Sequence, residues 1–199
     1  MVKLVLFDIG GVMIDFLQDY YIRYLLGKRM VPYARLSDVL EALVGKIEKG
    51  DISKDYLERE LAEYLSLPKS EIKYGKSFGF LSKPNRGVIA LINRLHKRYK
   101  VALLSNISRS RYIEFRKLYF GMVEVDRVFA SAYLRMRKPE EKIYKYALHE
   151  MGTEAHDAVF VDNMIENVRA AKKAGLNAVH YVGYRKLVTD LRALDVNTG

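Results

Sequence analysis

The chain has 199 residues, no cysteine, and 34 Lys and Arg against 24 Asp and Glu, for a formal net charge of +10. A chain of this length buries about 70% of its extended surface unaided, and the lack of cysteine excludes a disulfide framework or a thiolate zinc site. Basic and acidic residues are interleaved throughout, which suits a solvated surface or anionic substrates better than nucleic acid.

The first element is the apolar run Leu4-Val5-Leu6-Phe7, which ends abruptly in Asp8 and is followed by Gly10-Gly11. Such a run predicts a buried parallel strand that delivers Asp8 to its C-terminal tip. The two glycines allow a tight turn whose N–H groups can cradle an anion. From about Phe16 to Leu81 the apolar spacing is helical, with no convincing strand. Leu36, Val39, Leu40 and Leu43 form one stripe. Ser53 is placed to cap a helix carrying Leu57, Leu61, Tyr64 and Leu65, which stops near Leu67-Pro68. A shorter piece with Ile72 and Phe78 ends around Gly79.

Beyond this block strands and helices alternate. Pro84 is expected to open a helix; the strand Val101–Leu104 and a helix through Ile113 and Leu118 follow. Next come the strand Val128–Ala130 and a helix after Pro139 with Ile143, Ala147 and Met151 inward. The strand Ala158–Val161 leads to a helix from Ile165 to Ala174 that Gly175 stops. Ala178–Val182 and Leu187–Leu194 complete the series, and Asn197-Thr198-Gly199 is expected to fray. Five strands mostly separated by helices predict a doubly wound α/β parallel sheet, Rossmann-like, with a helical block inserted after the first strand. The expected division is a core of residues 1–15 and 82–199 and a cap of residues 16–81.

Ligands of such sheets bind at the C-terminal strand ends. There the sequence places Ser105-Asn106, a hydroxyl and an amide suited to a phosphate oxygen, and Asp162-Asn163, oxygen donors suited to Mg²⁺ with Asp8. Both pairs serve equally well as helix N-caps. Lys138, just ahead of Pro139, can reach an anion above the sheet edge or stay in solvent. The histidines at 96, 149, 156 and 180 lie away from these tips. Tyr20, Tyr21, Tyr24, Tyr56 and Tyr64 read as packing or amphipathic surface.

The order of these pieces resembles the four motifs of the haloacid dehalogenase superfamily, over essentially the whole chain. The likeness is to small sugar-1-phosphate phosphatases, on the Phe-Asp-x-Gly-x-Val start, the turn Glu48-Lys49-Gly50-Asp51-Ile52-Ser53 and the segment Met136 to Glu140. The resemblance implies Asp8 as nucleophile, forming an aspartyl-phosphate. It implies that Ser105, the Asn106 backbone and the Ile9 and Gly10 amides hold the phosphoryl group, and that Lys138 neutralises charge. Mg²⁺ would be held by Asp8, the Gly10 carbonyl, Asp162 and Asn163, and the partner would be a small phosphorylated metabolite.

Two positions depart from the superfamily. Gly10 stands where most phosphatases carry an acid–base Asp, although the sugar-1-phosphate branch also has Gly there; Asp15 is the nearest substitute, or a cap for the next helix. Asn163 stands where many relatives have a second Asp, leaving the metal one carboxylate fewer. The alternatives are a metal-independent 2-haloacid dehalogenase using Asp8, or a degraded phosphate-binding module. Lys46 is a candidate for choosing the leaving group. The start reaches Asp8 too soon for a signal peptide and no run spans a membrane, so a cytoplasmic monomer or small homo-oligomer is expected. A single glutamine, Gln18, with many Lys and Glu, suits a heat-adapted source.

Overall fold

The structure is a computed structural model that describes residues 1–16, 33–72, 74 and 82–199. At its centre is β1 (Leu4–Phe7), buried on both faces. Its residues alternate between two cores, as a period of two requires. Val5 and Phe7 face a cluster with Val101, Leu103, Val159 and Val161. Leu4 and Leu6 face another with Ala102, Leu104 and Phe160.

Five strands form the sheet in the order β5-β4-β1-β6-β7, all parallel. Besides β1 these are β4 (Lys100–Ser105), β5 (Arg127–Ala130), β6 (Ala158–Asp162) and β7 (Asn177–His180). Helices α3 (Arg86–His96), α4 (Arg109–Tyr119) and α8 (Tyr184–Ala193) cover the first face through Leu91, Ile92, Phe115, Leu187 and Leu191. After the one-turn α5 (Ser131–Leu134), helices α6 (Glu141–Met151) and α7 (Ile165–Lys173) cover the second through Ile143, Tyr144, Ala147 and Ala171. Both faces are therefore shielded, and this explains the uninterrupted apolar strands. The doubly wound fold expected from the alternation is the one found.

The remaining pieces are β2 (Ile14–Phe16), α1 (Tyr33–Lys49), α2 (Lys54–Leu65) and β3 (Ser82–Pro84). Here the sequence expectation needs correcting. Ile14 pairs with Pro84 and Phe16 with Ser82 in an antiparallel ribbon that three-residue strands could not announce through periodicity. Pro84 therefore ends a strand instead of opening a helix, and Asn85 caps α3 by accepting from the Val88 N–H at 3.3 Å. The ribbon brings residues 16 and 82 side by side, so the chain leaves and re-enters the sheet region at one place.

Helices α1 and α2 pack through Leu43, Ile47, Leu57, Leu61 and Leu65, with Ile72 and Tyr74 closing the cluster. Ser53 caps α2 as expected, accepting from Tyr56 N at 3.1 Å. The helix stops at Leu65 because Ser66 turns left-handed, at φ 51°. Val39 packs on this cluster, whereas the side chains of Leu36 and Leu40 fall outside the described residues, as do Gln18, Tyr20, Tyr21, Tyr24, Phe78 and Gly79. Tyr56 and Tyr64 are exposed, in keeping with an amphipathic surface.

Other boundaries shift by a few residues: β7 covers Asn177–His180, and α8 runs from Tyr184 to Ala193. The C-terminus does not fray. Thr198 is buried; its hydroxyl accepts from Arg192 Nε at 2.8 Å and its carbonyl from Arg94 Nε at 3.2 Å. Among the described residues no helix is long and apolar enough to cross a membrane.

Candidate active site

Register places the site. β1 lies between β4 and β6, with Phe7 level with Leu103 on one side and Val161 on the other. The chain continues in register for one more step, since the Asp8 N–H donates to the Val161 carbonyl at 2.9 Å. Asp8, Ser105 and Asp162 therefore meet at one edge, all three buried. Gly11 turns the chain back with φ 77°, a conformation that favours glycine.

Lys138 joins them from the loop before α6. Its side chain is only 1% exposed, and its Nζ lies 2.9 Å from Asp8 Oδ1 and 2.6 Å from Asp162 Oδ2. Burial opposes the ammonium charge, but Asp8 and Asp162 outweigh it and hold the Lys138 pKa above its usual range. Burial also pushes Asp8 up to about 6; Lys138 opposes that rise and the neighbouring Asp162 adds to it. The Ser105 hydroxyl favours the ionised Asp8. A buried cation between two carboxylates lets an anionic group approach Asp8.

The Asn106 side chain departs from the role expected of its amide. It grips the backbone of Lys138: Nδ2 donates to the Lys138 carbonyl at 2.8 Å, and Oδ1 accepts the Lys138 N–H at 2.8 Å. The amide proposed for a phosphate oxygen is thus committed to fixing the lysine loop. Asp162 has its own supports. Its Oδ1 accepts from Met164 N at 2.7 Å in the turn ahead of α7, whose N-cap is Met164 and not Asp162, and its Oδ2 takes Asn167 Nδ2 at 3.1 Å besides Lys138. Asn167 had no signal beyond its place in the first turn of α7.

A cavity of about 520 Å³ opens over these groups, lined by the Asp8–Gly11 loop, Ser105, Asn106, Lys138 and Asn163. Val44 and Glu48 of α1 also line it, with Arg111 of α4 and Arg137. The α1 end is tied down by Ser131, whose hydroxyl donates to the Glu48 carbonyl at 2.5 Å and accepts from Ile107 N at 2.9 Å. Arg137 Nη2 donates to Glu48 Oε2 at 3.1 Å. The Arg111 guanidinium stacks on the Tyr74 ring at 4.2 Å. Burial pushes Glu48 up to about 7, although Arg137 and Arg111 pull the other way. The Glu48–Ser53 turn is legible in the sequence, whereas the place of Glu48 on the cavity wall follows only from the docking of α1.

Three other expectations change. Asp15 lies exposed in β2 and does not line the cavity, nor does exposed Lys46. His180 is not remote from the strand tips: it sits opposite Asp162 in register, and its Nε2 lies 2.9 Å from the Asn163 carbonyl.

A divalent metal can be weighed against the donors. Among the described residues no three His, Cys, Asp or Glu side chains converge on one point. Mg²⁺ accepts one or two carboxylates completed by neutral oxygens and water. Asn163 Oδ1 fits that set, being buried without a hydrogen-bond partner among the described residues. Any Cβ on Gly11 would come within 2.4 Å of the Asn163 amide, so the glycine keeps this side chain in place.

Comparison with known proteins bears on the fold and the family. The chain is 30% identical over 152 residues to a sesquiterpene phosphatase from Aspergillus oryzae, covering 75% of this chain and 77% of that one. A crystal structure of a HAD family enzyme from Bacteroides thetaiotaomicron superposes with a TM-score of 0.79 at 22% identity, over 90% and 93% of the two chains. That enzyme has also been crystallised with magnesium and inorganic phosphate, and this complex superposes at 0.76 and 20% identity, over 90% and 94%. A 2-haloacid dehalogenase from Pseudomonas syringae superposes at 0.61 with 19% identity, over 91% and 86%. The model of the haloacid dehalogenase-like hydrolases matches residues 2–175. The chain is a member of the haloacid dehalogenase-like hydrolase family.

Proposed function

We propose that this hydrolase is a Mg²⁺-dependent phosphatase of small phosphorylated metabolites, sugar phosphates among them, working through an aspartyl-phosphate on Asp8. The observation that carries the reading is the Lys138 ammonium held 2.9 Å from Asp8 and 2.6 Å from Asp162 at the floor of the cavity. The named activity of the Aspergillus relative supports it.

Asp8 attacks phosphorus as the carboxylate, so it must be ionised when substrate is present, and Lys138 favours that state. Ser105 and the backbone N–H groups of Ile9, Gly10 and Asn106 hold the phosphoryl oxygens. Lys138 offsets the charge gathered between nucleophile and phosphoryl group. Asn106 acts through Lys138 by fixing its backbone. Asp8, the Gly10 carbonyl, Asp162 and Asn163 are the residues that would hold Mg²⁺. Bound there, the ion supplies charge neutralisation for a phosphate approaching a carboxylate. The segment of residues 16–81, which carries α1 and α2, serves as the cap that selects the leaving group.

One feature favours the dehalogenase alternative. Among the described residues Asp162 already accepts three hydrogen bonds, from Lys138, Asn167 and Met164, which also suits a site without metal. The test is hydrolysis of p-nitrophenyl phosphate with and without Mg²⁺ by the native protein and by Asp8→Asn. Mg²⁺-dependent phosphate release, lost in Asp8→Asn, is expected. No release under any metal, with chloride release from a 2-chloro acid, would replace this reading by the dehalogenase.

A further inference from the structure

We propose that Glu48 is the general acid of this site, giving a proton to the leaving oxygen and then taking one from the hydrolytic water. The proposal rests on the phosphatase reading and fills the gap left by Gly10, which has no group to move a proton.

Geometry comes first. In-line attack by Asp8 sends the leaving oxygen to the far side of phosphorus, away from the Asp8–Gly11 loop. An acid must therefore come from another wall of the cavity. Glu48 does so from the last turn of α1, and its side chain is only 12% exposed. The rival carboxylates suit the role less: Asp15 does not line the cavity, and Glu166, although on its wall, is exposed to solvent in the first turn of α7. Two restraints hold Glu48. Its backbone carbonyl takes the Ser131 hydroxyl at 2.5 Å, and its Oε2 takes Arg137 Nη2 at 3.1 Å, which leaves Oε1, without a hydrogen bond among the described residues, to carry the proton.

The charged groups around Glu48 are Arg137, Arg111 and Lys138, with Tyr74 nearby and Asp8 and Glu166 on the same cavity. The three cations favour the carboxylate, yet burial outweighs them and sets the group at about 7. Near neutral pH it is therefore divided between acid and base, as efficient proton transfer in both directions requires.

In the first half-reaction the Asp8 oxygen–phosphorus bond forms as the bond from phosphorus to the leaving oxygen breaks. The Glu48 proton passes to that oxygen, giving the alcohol, the aspartyl-phosphate and the Glu48 carboxylate. In the second, water attacks phosphorus, its proton passes to Glu48, and the Asp8 carboxylate is released with inorganic phosphate.

The experiment compares p-nitrophenyl phosphate, whose leaving group needs no proton, with an alkyl phosphate such as glucose 1-phosphate or glycerol phosphate, in the native enzyme and Glu48→Gln. Glu48→Gln should lose about 100-fold or more in kcat/KM on whichever alkyl ester the native enzyme turns over, and roughly tenfold less than that on the aryl ester. In the native enzyme kcat/KM for the alkyl ester should fall above about pH 7, as Glu48 gives up its proton, with a weaker fall for the aryl ester. This native profile needs no variant to fold. Equal losses on both esters, or identical pH profiles for both, would overturn the proposal while leaving the phosphatase reading intact. Failure of the native enzyme to hydrolyse any phosphate ester would overturn both.

Discussion

Replacing Asn106 by Ala separates two roles that a Ser-Asn pair at a strand tip can play. The side chain makes two hydrogen bonds to the Lys138 backbone, each 2.8 Å long. Each such bond contributes about 1 kcal/mol net, and a buried group stripped of its partner costs about 1–3 kcal/mol. Asn106→Ala strips the N–H and carbonyl of a residue whose side chain is 1% exposed, so a loss of about 2–4 kcal/mol is expected. That is a large fraction of the roughly 5–15 kcal/mol of a typical domain. The same change releases the loop that holds the Lys138 ammonium against Asp8 and Asp162. A displacement of about 1 Å at such a group costs roughly 100-fold in rate. Urea unfolding gives the first quantity, and kcat for p-nitrophenyl phosphate at saturating substrate gives the second. Were the Asn106 side chain instead a direct phosphate contact, the variant would keep its stability within about 0.5 kcal/mol and lose mainly in KM. That result would refute the positioning role.

Three further outcomes are expected. Gly11→Ala would set a Cβ 2.4 Å from Asn163 Nδ2 at a φ of 77°. It should destabilise by about 1–2 kcal/mol through the left-handed backbone and raise the Mg²⁺ concentration for half-maximal activity, both measurable on one preparation. Glu48 binds its proton more tightly in the folded state, at about 7 against an ordinary 4.5, so between those values the native chain holds more protons than the unfolded one. The Glu48 contribution to stability should be full below about pH 4.5 and fall by up to about 3 kcal/mol as pH rises through 7, besides the share that Asp8, raised to about 6, loses over the same range. Glu48→Gln should flatten that slope in urea midpoints taken at pH 5 and pH 8. Ser131→Ala breaks the link between the Ile107 N–H and the Glu48 carbonyl and should cost about 1–3 kcal/mol by the same unfolding assay.

Much of the floor of the candidate site is legible because parallel strands write their ends into the sequence. Leu4–Phe7 is apolar to the last residue and then stops at Asp8; β4 stops at Ser105 and β6 at Asp162, so three adjacent strands place their polar tips together. Lys138 was found through its place before Pro139 and a helix, and the structure buries it between the two carboxylates. What failed depended on long-range docking. The β2–β3 ribbon joins residues almost seventy positions apart through three-residue strands, too short for a period-two signal. The Asn106 side chain looked like a phosphate ligand because its sequence neighbours do not show that the Lys138 backbone lies against it. Glu48 read as one acid among many in a charged turn, and only the packing of α1 over α5 turns it toward the cavity. Thr198 seemed a frayed end until Arg94 and Arg192 were found to hold it.

The central claim is that Asp8 carries the phosphoryl group. The most direct measurement is acid quenching of the enzyme during turnover of p-nitrophenyl phosphate with Mg²⁺, reduction by borohydride, and mass spectrometry of the N-terminal peptide. An acyl phosphate is reduced to an alcohol, whereas a free carboxylate is not. The account predicts reduction at Asp8, present only with substrate and absent in Asp8→Asn. Phosphate release by the native enzyme with Asp8 unreduced throughout turnover would contradict it.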